Sequence, residues 1–280
     1  MTRLIEVEAR VASMTGLLDV IGAMRSLAGM RLQEAQLALP AARRYGQTVS
    51  AAIAAVLAML REAPTQSVRT PGRRAIVLYA AEHGLVGTFS EHLISAAQRA
   101  ASAEDVLFVV GSRAAVLAGE RGLRTAWTAP MPARPVNIPE AVRGLTEELY
   151  RSIARGKISR VELLYASHGA GSAPVQARTV LPLDLAAVAS DARQRRPLSN
   201  LQPRELLTQL TAEYVFALLA EAALDSIASE NAARFAAMSA AHENATRKLD
   251  ALRAMAREIR QSEITTELLD VVTGAQALQV

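Results

Sequence analysis

Few residues in this 280-residue chain are spaced for covalent chemistry. A phosphate loop needs a glycine-rich turn ending in Gly-Lys-Ser/Thr. Gly156-Lys157 is followed by Ile158, and the position five before Gly156 is Arg151, so no nucleotide phosphate is cradled there in that way. The stretch His83-Gly84-Leu85-Val86-Gly87-Thr88 follows an apolar run, where a dinucleotide fold puts its phosphate loop. The Gly-x-Gly-x-x-Gly spacing is missing, so it reads first as a strand-to-helix turn and only second as a ligand loop. The four histidines, His83, His92, His168 and His242, form no His-Glu-x-x-His pair. His83 and His92 flank one helical stretch and could approach His168 at a strand end, but surface or loop positions are the default. His242 interrupts an apolar seam, where a solvated or interhelical hydrogen-bonding role fits better than catalysis. Trp127, ahead of Pro130, Pro132 and Pro135, reads as a packing anchor. Arg193, Arg195 and Arg196 read as a solvated loop or as a contact for an acidic partner. No catalytic residue, metal or cofactor is expected.

Composition narrows the classes. With 51% hydrophobic and 21% charged residues, the chain is too apolar for disorder and too interrupted for a membrane protein. Its longest apolar stretch, residues 49–60, stops at Arg61, short of the roughly 20 residues a spanning helix needs. The opening Met1-Thr2-Arg3-Leu4-Ile5-Glu6 has no apolar h-region, so no signal peptide is expected. The absence of cysteine excludes disulfides, thiolate metal sites and a thiol switch. A net charge of +4 is weak as a nucleic-acid signal. The pI of 9.8 reflects arginine, since only Lys157 and Lys248 are lysines. The charge is unevenly spread: net +2 over residues 1–62, +6 over 63–203 and −4 over 204–280. Those segments look like different kinds of structure.

The elements that would position any functional residue are clearer than the chemistry. Residues 204–273 contain neither proline nor glycine and are rich in helix formers. A continuous helix of that length would reach about 105 Å. Its apolar residues follow a 3,4 spacing through Leu207, Leu210, Tyr214, Ala217, Leu224, Ala228, Phe235, Met238, Ala245, Leu249, Leu252, Ala256 and Ile259. Glu221, Asn231 and His242 break the frame, and Ile264, Leu268, Val271 and Val272 restart it in another phase. A sustained 3.5 repeat is the coiled-coil signal. The N-terminal segment repeats it through Leu4, Val7, Val11, Met14, Leu18, Ile21, Arg25, Ala28, Leu32, Ala35 and Leu39. Gly16, Gly22 and Gly29 lie inside this stretch; either they let two backbones approach or they are local weakness. Pro40 is expected to bend or end the first helix, with a second helical stretch over 41–61.

The middle of the chain alternates differently. β-rich runs at 74–80, 106–110, 160–166 and 175–181 are separated by helical stretches near 89–102, 113–121 and 138–155. That alternation predicts an α/β layer with a mainly parallel sheet. It enters through a segment from Pro64 to Gly72 and leaves through Pro197 to Pro203. The expected fold is mixed, α+β and α/β: a long antiparallel coiled coil of N- and C-terminal helices with an inserted Rossmann-like α/β domain. The boundaries are 1–62, 72–198 and 204–280.

Specific motifs then resemble a known family, the gamma subunit of F-type ATP synthases. Ala23-Met24, Leu27-Ala28 and Arg31 resemble that family's N-terminal stretch, and Arg43 or Arg44 with Tyr45 resembles its Arg-x-Tyr. Residues 228–238, Ala-Ser-Glu-Asn-Ala-Ala-Arg-Phe-Ala-Ala-Met, resemble its Ala-Ser-Glu-x-x-Ala-Arg-x-x-Ala-Met. Residues 260–268, Arg-Gln-Ser-Glu-Ile-Thr-Thr-Glu-Leu, resemble its Arg-Gln-x-x-Ile-Thr-x-Glu-Leu. There are departures. Gly22 stands where the family has lysine, residues 82–90 replace its Asp-x-Gly-Leu-Cys-Gly-x-x-Asn, and Ser199, Asn200, Leu201 and Gln202 replace an acidic Tyr-Glu-Pro-Asp. They imply a divergent copy, of the kind an alternative sodium-type ATPase would carry, although ion choice belongs to other subunits.

The resemblance implies a non-catalytic rotary stalk that couples hydrogen-ion or sodium flow through a membrane rotor to ATP synthesis. It implies one copy per hetero-oligomer, with alpha, beta and epsilon subunits and the membrane c-ring as partners. The implied location is the cytoplasmic face of a bacterial inner membrane, reached only indirectly, with no nucleic acid. By the same resemblance, Arg260, Gln261 and Thr265 contact a catalytic-subunit loop, with Met24 on the facing helix. Leu268, Val271, Val272 and Leu278 then sit in an apolar collar, and Ser199, Asn200, Leu201 and Gln202 lie toward the rotor ring. The frame break at Glu263 is expected to free this stretch from its helical mate. Two rival readings are a doubly wound nucleotide-binding enzyme with helical arms and a stand-alone coiled-coil scaffold. Neither accounts for both terminal motifs.

Overall fold

A computed structural model describes residues 2–60, 72–169, 174–184 and 199–277. The stretch from Pro64 to Pro71, the Arg193, Arg195 and Arg196 group, Pro197 and Leu278 lie outside the described residues.

The two periodic segments each form one helix, α1 (Thr2–Leu57) and, at the other end of the chain, the helix named α5 below. Every seam position of α1 is covered: Val7, Ile21, Ala28, Ala35 and Leu39 are buried, and the remaining seam residues are half-buried. A 3,4 spacing puts these residues on one stripe, and burying that stripe supplies most of the helix's stability. Pro40 does not end α1, contrary to expectation. Proline removes one N–H and crowds the preceding turn. Here its own ring is exposed, while Leu39 before it and Val49 and Ile53 after it are buried and hold both sides in register.

Between the long helices lie β1 (Arg73–Tyr79), α2 (Phe89–Ala100), β2 (Val106–Val110), α3 (Ser112–Glu120), β3 (Thr125–Ala129), α4 (Ile138–Ala154), β4 (Ile158–Ala166) and β5 (Val175–Leu181). The long C-terminal helix α5 then runs over Pro203–Ala277. The sheet order is β3-β2-β1-β4-β5. The first four strands are parallel, and β5 runs antiparallel to β4. Strand β3 has no apolar run that would announce it. It forms by pairing with β2 at the sheet edge, Phe108 opposite Trp127, with the two rings 6.0 Å apart. Trp127 is the packing anchor its sequence context suggests.

The chain divides into two compact units, Met1–Leu27 with Phe235–Val280, and Ala28–Arg234. In the first, Ile21, Met238 and Ala245 are buried together with Met14, Leu18, Ala237 and Ala241 around them. Glu8 pairs with Arg260 in the same unit, so α1 and α5 run in opposite directions there. In the second, successive strand residues face opposite sides of the sheet. Val77, Tyr79, Phe108 and Val110 pack with Val142, Leu145 and Leu149 of α4 and with Leu218, Leu219 and Ala222 of α5. Ile76, Leu78, Leu107 and Val109 pack with Leu93 and Ile94 of α2 and Ala114 and Ala118 of α3. Each such aliphatic side chain contributes roughly 1.5–3 kcal/mol when fully buried. Gly111 is required: its φ is +130°, and a Cβ there would lie 2.5 Å from the Ala80 carbonyl oxygen. Gly16 and Gly22 differ, since an added Cβ would meet nothing within 4 Å. Close approach within the chain therefore does not explain them.

Candidate functional site

The residues expected to meet a catalytic subunit lie on the first unit. Met24 is on α1, one turn beyond Ile21, and is 37% exposed. Leu17, Val20 and Leu27 accompany it on the surface, a 3,4 stripe distinct from the buried seam. This stripe belongs to a helix apolar enough by length and composition to be a candidate membrane span. The opposite stripe of the same helix packs on α5, as in the core helix of a soluble protein.

Arg260, Gln261, Thr265 and Leu268 are all exposed on α5, and Leu268 is 61% exposed. The Thr265 hydroxyl donates back to the Gln261 carbonyl at 2.8 Å. The structure does not bring Met24 beside Arg260. Ile21 packs at Met238 and Ala245, whereas Arg260 pairs with Glu8, about 24 Å along α1 from Met24 at 1.5 Å per residue. The frame break at Glu263 is expected to free this stretch from its mate; Arg260, just before it, still pairs with Glu8 of α1. Ile259 and Glu263 are still half-buried, and only beyond Glu263 are all the described side chains exposed. Ile264, Leu268, Val271 and Val272 then present exposed apolar side chains.

Ser199, Asn200, Leu201 and Gln202 are exposed at the foot of α5. The Leu201 N–H donates to the Ser199 hydroxyl at 3.1 Å, and the Leu206 N–H donates to the Gln202 carbonyl at 3.0 Å. The first is a local turn ahead of the helix, and the second is the first intrahelical bond of α5.

The second unit holds a polar junction that reading the spacing did not find. Arg43 of α1 reaches Glu221 at 3.3 Å and Asp225 at 3.2 Å, and Arg178 of β5 reaches Glu221 at 3.1 Å. Burial pushes the Asp225 carboxyl up, against the opposing pull of Arg43. Further along α5, Arg234 donates to Glu230 at 2.6 Å, to Asn231 at 3.2 Å and to the His83 carbonyl at 3.4 Å. All three of these α5 side chains are buried, and burial pushes the Glu230 carboxyl up despite Arg234. Phe235, placed on the seam by its spacing, is 42% exposed, and Arg234 is buried in its stead. Glu82, just past β1, accepts from the Ser112 N–H at 2.9 Å, the Ser112 hydroxyl at 2.7 Å and the Met131 N–H at 2.7 Å. Burial raises its pKa, but these donors outweigh that and hold it below the ordinary value. Tyr45 of α1 donates to Glu213, and its phenol is pushed up to about 12 by burial and by that carboxylate. The frame breaks at Glu221 and Asn231 and the residues 228–238 motif were the available signals, but neither named the partners.

Residues 83–88 form a turn, with Leu85 at φ 65° and Gly87 at φ 57° and the Phe89 N–H donating to the Val86 carbonyl at 3.3 Å. The His168 ring nitrogen Nε2 accepts from the Gln36 amide at 2.8 Å. Among the described residues no three His, Asp or Glu side chains gather as a metal site.

The ATP synthase family model matches residues 3–278. The ATP synthase gamma chain of Phocaeicola vulgatus is 31% identical, over 99% of this chain and 100% of its own length. That of Thermobifida fusca is 29% identical, over 96% of this chain and 94% of its own length. Among solved structures, a chain of the Euglena gracilis mitochondrial ATP synthase rotor matches with TM-score 0.63 at 12% identity, over 94% of this chain and 99% of that one. A chain of the Tetrahymena thermophila mitochondrial ATP synthase central stalk and c-ring matches with TM-score 0.58 at 18% identity, over 79% and 99%. At those identities the likeness is one of fold.

Proposed function

Because the chain belongs to the ATP synthase gamma-chain family, we propose a division of labour for its parts as the central-stalk subunit of an F-type ATP synthase. The match over residues 3–278 and the gamma-chain relatives along their whole length carry this reading. The subunit is non-catalytic; catalysis sits in the alpha and beta subunits. It is peripheral to the membrane, and the bacterial relatives support the cytoplasmic face of the inner membrane. The α1 and α5 segments of the first unit form an antiparallel coiled coil inside the alpha and beta ring. The Rossmann-like α/β insert, residues 72–198, faces epsilon and the c-ring, flanked by helical parts 1–62 and 204–280.

Met24 with the exposed stripe around it, and Arg260, Gln261, Thr265 and Leu268, are the contacts with the catalytic subunits. Their exposure supports this, since soluble proteins rarely leave contiguous apolar surface without a partner. Ser199, Asn200, Leu201 and Gln202 lie toward the rotor ring. An asymmetric pair of helices offers each catalytic subunit a different face. A contact difference of about 1.4 kcal/mol changes a nucleotide equilibrium tenfold, so modest differences suffice to stagger the sites.

Native mass spectrometry of the complex purified with this chain tests the reading. One copy of the chain alongside several alpha and beta subunits is expected. Pairs of the chain without those subunits would favour a coiled-coil scaffold and reject it.

A further inference from the structure

The sheet order β3-β2-β1-β4 has a reversal point. From β1 the chain passes to β2 and β3 on one side, then returns to add β4 on the other. Sheets of this kind take ligands in the crevice outside the carboxyl ends of the two strands at that point. Here those ends are Tyr79 of β1 and Ala166 of β4. Tyr79 and Ala166 are the last paired residues of their ladders, opposite Val110 and Val175, and each carbonyl, with two lone pairs, can accept from further donors.

Both receive them from α5. The Ser226 hydroxyl donates to the Tyr79 carbonyl at 3.2 Å, and the Ser229 hydroxyl donates to the Ala166 carbonyl at 3.1 Å. Arg234 adds the bond to the His83 carbonyl in the loop that follows β1. Ser226 and Ser229, three apart, share one face of α5. That face is built small: Ala222, Ala223, Ser226 and Ser229 are all buried at 1% exposure or less. The space left beside Glu82, His83, Glu230 and Arg234 is a cavity of about 20 Å³. This is room for about one water molecule and not for a nucleotide.

We infer that the stretch of α5 carrying Ser226, Ser229 and Arg234 is the built-in ligand of the α/β unit. It fills the crevice where a nucleotide would otherwise bind and fixes the sheet to α5 as one torque-bearing body. Ser226 and Ser229 are positioning residues for coupling. This rests on the stalk reading above, because only a stalk has torque to carry.

Two measurements on the assembled, membrane-reconstituted complex test it. The first is photolabelling with an azido-ATP. Label is expected on alpha and beta, which serve as the internal control, and none on this chain; label within residues 83–88 would overturn the inference. The second compares wild type with Ser226→Ala, Ser229→Ala and the double variant. Hydrogen exchange at the ends of β1 and β4 is expected to rise roughly tenfold in the double variant, as for one lost buried bond per strand. Ions pumped per ATP hydrolysed are expected to fall while hydrolysis persists. The single variants keep the test open if the double variant does not assemble. An unchanged pumping ratio in assembled variants would overturn the inference. Failure of the wild-type chain to assemble with alpha and beta would instead reject the stalk reading.

Discussion

Glu82 shows how much one side chain settles in this fold. It stands just before the segment that spacing marks as a turn, yet it joins three elements by accepting from Ser112 and Met131. Its pKa is lowered in the folded chain from an ordinary value of 4.5. The folded state therefore binds fewer protons than the unfolded state in the window below that value. Its stabilisation is full above pH 4.5 and is lost as pH falls through the folded pKa. Asp225 and Glu230 work the other way, being raised: what they contribute is present below their ordinary values and lost as pH rises through the folded ones. Glu82→Gln should cost about 1 kcal/mol at neutral pH, roughly 2–4 °C in Tm for a chain of this size. It should also shrink the fall in Tm on acidification, and thermal melts across the acid range check both. A variant whose melting temperature falls as steeply with acid as wild type would show that Glu82 is not the group responsible. Reading the residues found Met24, Arg260 and Gln261 only through motif resemblance. It found no partner for Arg43, because that partner lies 182 positions away, at Asp225.

Among the elements, the long helices were legible and the edge strand was not. A 3,4 spacing survives in any context that buries one stripe, so α1 follows its frame residue by residue and runs past Pro40. Strand β3 exists because β2 offers it a ladder, and two threonines and two alanines around Trp127 announce nothing by themselves. The glycines divide by the same logic of local against tertiary need. Gly16→Ala should stabilise the isolated chain by about 0.5–1 kcal/mol, since nothing blocks a methyl group and alanine is the better helix former. Gly111→Ala should cost several kcal/mol, on the order of 3, because the methyl would collide with the Ala80 carbonyl in a positive-φ backbone. Paired denaturant titrations check the contrast, and equal effects of the two changes would refute it.

Across the whole molecule, one chain supplies two units that share the same two helices, one buried around the sheet and one carrying exposed apolar and polar contacts. The exposed end is where coupling to a catalytic partner is expected. Arg260→Leu with Gln261→Leu should lower coupled ATP synthesis in reconstituted vesicles while leaving assembly intact. Removing the Arg260 pair with Glu8 should cost little, since both side chains are about half exposed and such pairs contribute about 0–1 kcal/mol. Wild-type coupling in that variant would reject the contact. By itself the sequence determined the two periods, the order of most elements and the family its terminal motifs belong to. Each of these is written in spacings of a few residues. Only the tertiary structure decided that Ser226 and Ser229 meet the ends of β1 and β4, that Arg43 finds Asp225, and that β3 closes the sheet edge. Those contacts join positions far apart in the chain, and local spacing carries no record of which distant surfaces the packed crossovers bring together.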